Sequence, residues 1–386
     1  MSKKADRTMK HYVMATIIAF CIVAIYALFA INLKILNPLV QALKEYSITD
    51  FYYQVIGIGE ERDTSRIVTI VDMTELTDRR DIAYALREVQ EQQPKVIGVD
   101  IVFEGLKPDN PEGDSLIAAV AASDTSTVFA VQYLDDSFDG EQFTKARQSF
   151  FADTIPHLKE ALANMILDKN DGLKRQINLG KKVKGRMQPS MIKRLSDEYA
   201  EQEILPLKDK MMKINWAPIE FRVIPYDSVA YYGDYLTDRI VLFGAYSDLT
   251  DMHLTPNGKI PGIKLLAYGI ETMVKQTNIK DAPWWITAIL SFFIVLFTKL
   301  LFDKADKFVK SRKNRFLRIG LKTALVMGIL KFLWMSLIMY IGFIVFARFN
   351  ISINLAWALS AIAFTGAAAD LYNVIYQSFS KKEESL

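Results

Sequence analysis

Four stretches of the chain, 12–33, 283–302, 324–346 and 351–375, are apolar around the full turn of a helix. A bilayer core of about 30 Å takes about 20 such residues, so the pattern predicts four membrane-spanning helices. The 34–282 stretch between the first and second spans reads differently. Residues 66–72 and 95–100 are short β-branched runs, and between them Ile82, Ala85, Leu86 and Val89 recur at helical spacing. That is a strand, helix, strand unit with a parallel crossover. A second helix starting at Asp114, with Leu116, Ile117, Val120 and Ala121 at helical spacing, leads to a third strand at 127–131. A strand at 239–244 and a helix at 263–275 repeat the pattern. Near-continuous apolar strands imply a mostly parallel sheet with helices on both faces, an α/β domain. The charged middle, 140–207, reads as helices around a turn followed by a short strand. Residues 38–46 put Leu39, Val40 and Leu43 on one face of a short helix, which either passes motion to the membrane or packs as a spacer.

Composition sharpens this picture. The 386 residues are 51% hydrophobic and 24% charged, with a net charge of +3. Half apolar and a quarter charged is ordinary, so the mean hydropathy of +0.12 comes from concentration into spans. Near neutrality argues against a nucleic-acid binder. The single cysteine, Cys21, excludes an internal disulfide framework and a cysteine zinc site.

Short cytoplasmic loops are enriched in Lys and Arg. Lys304, Lys307, Lys310, Arg312, Lys313, Arg315, Arg318 and Lys322 crowd 303–323, whereas the turn between the last two spans holds only Arg348. The expected order is a cytoplasmic N-terminus (1–11), an uncleaved anchor span, an extracytoplasmic domain (34–282), a basic cytoplasmic loop, a tight outer turn and a cytoplasmic tail (376–386). That describes a multi-pass protein of the inner membrane.

Candidate chemistry is sparse. Asp72 and Asp100 follow parallel strands, where open α/β sheets place their ligand crevices, and Asp109, Asp114 and Asp251 are placed to join them. Such aspartates either bind a ligand or cap helices and turns; Asp114, just before a helix, reads most simply as an N-cap. Asp168, Asp171 and Gly172 have the look of half a calcium loop, but Leu179 stands where the closing glutamate belongs, so a tight structural turn is expected and no metal. Only His11, His157 and His253 exist, and no hydrolase, phosphate-loop or dinucleotide motif is present. No enzyme and no cofactor are expected. In the membrane, Lys331 and Asp370 lie at similar depth on the last two spans. They are an expected ion pair, with Gly366 and Ala367 to Ala369 allowing close approach, or each reaches the headgroups separately.

Several blocks together resemble the CHASE domain of type 2, an extracytoplasmic sensory module of bacterial receptors. They are Asp72 after its strand, the run from Val96 through Asp100 to Phe103, and Asp114 to Leu116. Asp168 to Arg175 is similar to that family's acidic turn with a basic residue. The strand closing at Gly244, Asp251, Thr255 to Pro256 and Pro261 to Gly262 are similar to its final block. One span before the module and three after it also fit. Thr77 to Asp81 replace a Trp-Pro-rich stretch, and Leu266 stands where a histidine is usual. The resemblance implies a sensor, and since no output domain follows the last span, a stand-alone receptor subunit is expected. It would detect a small ligand or an extracytoplasmic protein, relay to a separate signalling partner, and admit homo-oligomers. The competing class is a scaffold subunit of a bacterial envelope complex that senses nothing.

Overall fold

The structure, a computed structural model, describes residues 2–32, 49, 52–53, 63–135, 143–163, 172–183, 185–311 and 324–383. The chain divides into two compact units, residues 50–279 and, separately, 1–49 with 280–386.

The first unit is built on the β-branched runs. Strand β1 (Asp63–Asp72), helix α1 being reserved for Ser2–Asn32 of the other unit, leads through α2 (Arg79–Glu91) to β2 (Val96–Val99), α3 (Pro111–Ser123) and β3 (Thr127–Asp135). After β4 (Phe143–Arg147) and β5 (Lys159–Leu162) come three short strands, β6 (Gln176–Asn178), β7 (Gly180–Val183) and β8 (Arg186–Pro189). Helix α4 (Met191–Ala200), β9 (Met211–Lys213), β10 (Ile219–Pro225), a 3-10 segment (Tyr226–Tyr235), β11 (Ile240–Gly244), β12 (Met252–Thr255), β13 (Gly258–Pro261) and α5 (Gly262–Val274) complete it. The seven-stranded sheet runs β10-β1-β11-β2-β3-β4, with β5 also against β3. All its pairings are parallel except β3 with β4. One face packs Val71, Ile97, Val99, Phe129 and Phe243 against Leu86 and Val89 of α2 and Ile117 of α3. Helices α4 and α5 cover the other face, burying Met191, Leu195, Leu265 and Ile270. The expectation of a parallel sheet covered on both faces holds.

The middle of the domain departs from it. Where helices around a turn were expected, β4 to β8 are strands, and the one helix among the described residues, α4, follows them. Lysines give this stretch helical propensity, but Gly185 turns the β7–β8 hairpin with φ +81°, a conformation natural to glycine. Gln188 and Met187 pair with Lys181 and Lys182, and tertiary pairing outweighs propensity of a few tenths of a kcal/mol per residue. Ser190 caps α4 by accepting from the Lys193 amide at 3.2 Å. Of the expected acidic turn only Gly172 is described, with φ +70°; Asp168 and Asp171 lie outside the described residues, as does the 38–46 segment.

The second unit holds α1 (Ser2–Asn32), α6 (Trp284–Ser311), α7 (Ala324–Phe349) and α8 (Ala356–Glu383), all four long and apolar enough to span a membrane. The fourth helix begins later than the apolar run does. Residues 351–352 form β15 and pair in parallel with β14 (Lys280–Asp281), the Lys280 amide donating to Asn350 O and the Ala282 amide to Ser352 O, each 2.9 Å. Asn350 takes φ +53° to make that turn.

Helix α8 packs against α1 and α6, burying Ala358, Ala361, Ile362 and Ala368 with Ala19 and Val23 of α1. Helix α7 meets α6 through Trp334, whose Nε1 donates to Thr298 Oγ1 at 2.9 Å. The structure does not bring Lys331 and Asp370 together: among the described residues no ion pair joins them, and Asp370 is exposed. Of the small residues before Asp370, Ala368 is buried in the cluster that holds Ala19 and Val23 of α1, whereas Gly366 and Ala367 are exposed. A charged pair absent from the sequence reading lies on α6, where Lys299 and Asp303 are 3.0 Å apart and the Tyr12 hydroxyl of α1 donates to Asp303.

Candidate polar site at the sheet edge

Strands β1, β11 and β2 end side by side, so their last residues share one edge of the sheet. Asp72 ends β1 opposite Gly244 of β11. Its carboxylate accepts from the Thr74 amide (2.9 Å) and hydroxyl, the Tyr246 amide (3.0 Å) and the Ser247 hydroxyl (3.0 Å). Burial alone would raise its pKa, but the hydrogen bonds from Thr74, Tyr246 and Ser247 outweigh that and hold the carboxyl below its ordinary value. Asp72 therefore ties the loop after β1 to the loop after β11, and its acceptor capacity is spent on them.

Asp100 follows β2, with its amide donating to Phe243 O at 2.9 Å. The side chain is half-buried, and among the described residues its carboxyl has no hydrogen-bond partner. Burial first and the Asp251 carboxylate second push its pKa up to about 6, against the opposing pull of His253. Asp251 lies just before β12 and holds His253, its Oδ1 3.1 Å from Nε2. The Asp251 carbonyl accepts from the Gly262 amide at 2.9 Å. Its carboxylate lies over Gly262, the first residue of α5, where an added Cβ would come 2.1 Å from Oδ2. Glycine is required there because any side chain would displace the carboxylate. The placement also sets negative charge at the positive end of a helix.

Lys174 completes the group. It is only 3% exposed, its amide donates to Leu254 O at 2.8 Å, and burial lowers the pKa of its amine while Asp251 acts to raise it. Asp100, Asp251, His253 and Lys174 thus form one polar cluster of acidic and basic groups. Among the described residues no group of three or more His, Cys, Asp or Glu is arranged to hold a metal ion.

Of the predicted site residues, Asp100 and Asp251 come together, Asp72 is engaged by its own loops, and Asp109 is exposed in the turn before α3. Asp114 is not an N-cap. Asn110 caps α3, accepting from the Gly113 amide at 3.0 Å, with Pro111 beginning the helix. Asp114 lies one turn in, buried, paired with Arg79 and accepting from the Lys107 amide at 2.7 Å. Arg79 also donates to Gly105 O (2.8 Å) and Glu104 O (3.0 Å), with its guanidinium 5.3 Å from the Phe150 ring centre. The early proline pushed the helix start upstream of where the apolar spacing first shows it.

Sequence reading missed His253 and Lys174. His253 had a visible signal: residues two apart in an extended chain share a face, so Asp251 and His253 were a pair. Lys174 had only its place beside Arg175 in the acidic turn. Leu266, at the position where a histidine was expected, is buried in the core of α5.

No curated protein and no solved structure matches the chain. The family model described as CHASE2 domain matches residues 15–301, a stretch that contains the whole sheet, both polar strand ends, the helices α2 to α5 and parts of α1 and α6. With well over half of its length matched, this multi-pass chain belongs to the CHASE2 domain family, whose members are extracytoplasmic sensory domains.

Proposed function

We propose that the protein is a receptor subunit of the inner membrane, with both termini cytoplasmic, whose outer domain detects a signal at the Asp100 cluster and relays it through the spans to a separate signalling protein. The observation that supports this reading most is the unspent hydrogen-bonding capacity of Asp100 beside Asp251, His253 and buried Lys174. Half-buried polar groups without partners cost stability, and a bound ligand returns it. The relay is a population shift: a ligand that favours one arrangement of the domain favours the matching arrangement of the helices. The excess of Lys and Arg between the second and third spans supports the orientation.

Native mass spectrometry of the full chain, released from detergent micelles, tests the reading. The wild type is expected to retain a small-molecule adduct that Asp100→Asn and His253→Ala release. An adduct held equally by all three proteins would place binding elsewhere. A chain that carries only co-purifying proteins, with no adduct, would favour the scaffold.

A further inference from the structure

Among the described residues no strand pairs with the outer side of β10, which is an edge of the sheet. Its residues 219–223 line a cleft of about 970 Å³, bounded by Trp216, Tyr246 and the hairpin tip at Asn257 and Gly258. Among the described residues one side-chain group reaches this strand's backbone, the Tyr268 hydroxyl donating to Ile219 O at 3.2 Å. An open edge of this length is a template for another strand.

Two charged side chains on this edge are unpaired. Among the described residues neither Glu220 nor Arg222 has an ion-pair partner. Glu220 is exposed. The Arg222 guanidinium lies 3.8 Å from the Tyr235 ring centre, and its buried Nε has no acceptor. Being two apart on a strand, the two side chains share a face.

We propose that this edge pairs with the β10 edge of a second copy of the chain, antiparallel and centred on Phe221. In that register Glu220 of each copy stands opposite Arg222 of the other, and Ile219 stands opposite Val223. Directly opposed side chains of antiparallel strands share a face, so both ion pairs form at once, as two-fold symmetry requires. Each carboxylate meets the opposed guanidinium, a charge-assisted contact. Sliding the register by two residues in either direction sets Glu220 against Glu220 or Arg222 against Arg222. Pro218 and Pro225 bracket the strand and limit how far pairing extends. Edge charges usually block association; here opposite signs two residues apart make the edge complementary to itself.

The test is charge exchange in the full chain, held in detergent micelles and read by mass photometry across a dilution series. The wild type is expected to be dimeric. Glu220→Arg alone or Arg222→Glu alone sets like charges face to face, and each is expected to shift the midpoint of dimer dissociation to at least tenfold higher concentration. The double variant, which restores both pairs with signs exchanged, is expected to return it to within threefold of the wild type. A monomeric wild type, a dimer indifferent to the single reversals, or single losses that the double variant does not repair would each overturn the proposal. The readout is assembly, so it stands or falls separately from ligand binding at Asp100.

Discussion

Asp72 and Asp100 leave the same edge of the sheet, on either side of β11, yet among the described residues four hydrogen bonds converge on the first carboxylate and none on the second. Asp114, a third acid of the same domain, is buried against Arg79. Position at a strand end does not decide what an aspartate does; the loops that follow decide it. After β1, Thr74 turns back to meet Tyr246 and Ser247, and the carboxylate becomes the knot between two loops. After β2 the chain runs on to Phe103 without returning, and the carboxyl stays open beside Asp251 and His253. Saturated acids hold the domain together, and the open one keeps acceptor capacity that the described residues do not use.

Removing each acid should expose this ranking. Asp114→Ala strands the buried Arg79 guanidinium and should cost about 3–5 kcal/mol, the largest drop in the thermal unfolding midpoint of the full chain in detergent. Asp72→Asn keeps the shape but turns an NH2 group toward donors. It should cost about 1–3 kcal/mol and speed amide hydrogen exchange at Thr74 and Tyr246. If Asp72→Asn is silent by both measures, the division between saturated and open acids fails.

Asp100 should show the smallest effect and the opposite sign. Its folded-state pKa of about 6 lies above the ordinary 3.8, so the folded form binds the proton more tightly. Its contribution is fully present below about pH 4 and is lost as pH rises through 6. Asp100→Asn is expected to remove that part of the slope, leaving a variant whose unfolding midpoint falls less than the wild type's between pH 5 and pH 7. Glu160, which burial and Asp153 push up to about 7, contributes a similar slope that should persist in the variant. Equal slopes for the two proteins would show that Asp100 is solvated like an ordinary carboxylate.

What could be read from the sequence follows the range of the forces involved. The strands β1, β2 and β11 and the helix α2 were legible because burial on a two-sided sheet leaves apolar runs and helical spacing within a dozen residues. The spans were legible for the same reason. The cluster was half legible: Asp100 and Asp251 stand beside strong local patterns, but Lys174 reaches them from a stretch whose pairing with the rest is long-range. Counting residues gives an expected depth for Lys331 and Asp370 but not their facing, because α7 is apolar all round and nothing in its pattern marks the side turned toward a neighbour. The strands of 140–207 were hidden by charge, since short paired strands with half-exposed faces tolerate lysine at alternate positions.

The little parallel pair β14–β15 gives the second unit a mechanical character. Lys280 is the next residue along the chain from Ile279, the end of the sensory unit. The amides of Lys280 and Ala282 fasten this stretch to the turn joining α7 and α8 by one hydrogen bond each. A load applied at residue 280 is therefore divided, part travelling along the covalent chain into α6 and part crossing the brace to two further helices. Hydrogen bonds of about 1 kcal/mol each give that brace a breaking strength. Below that strength the start of α6 and the turn between α7 and α8 are expected to move together, and above it α6 is expected to carry the load alone.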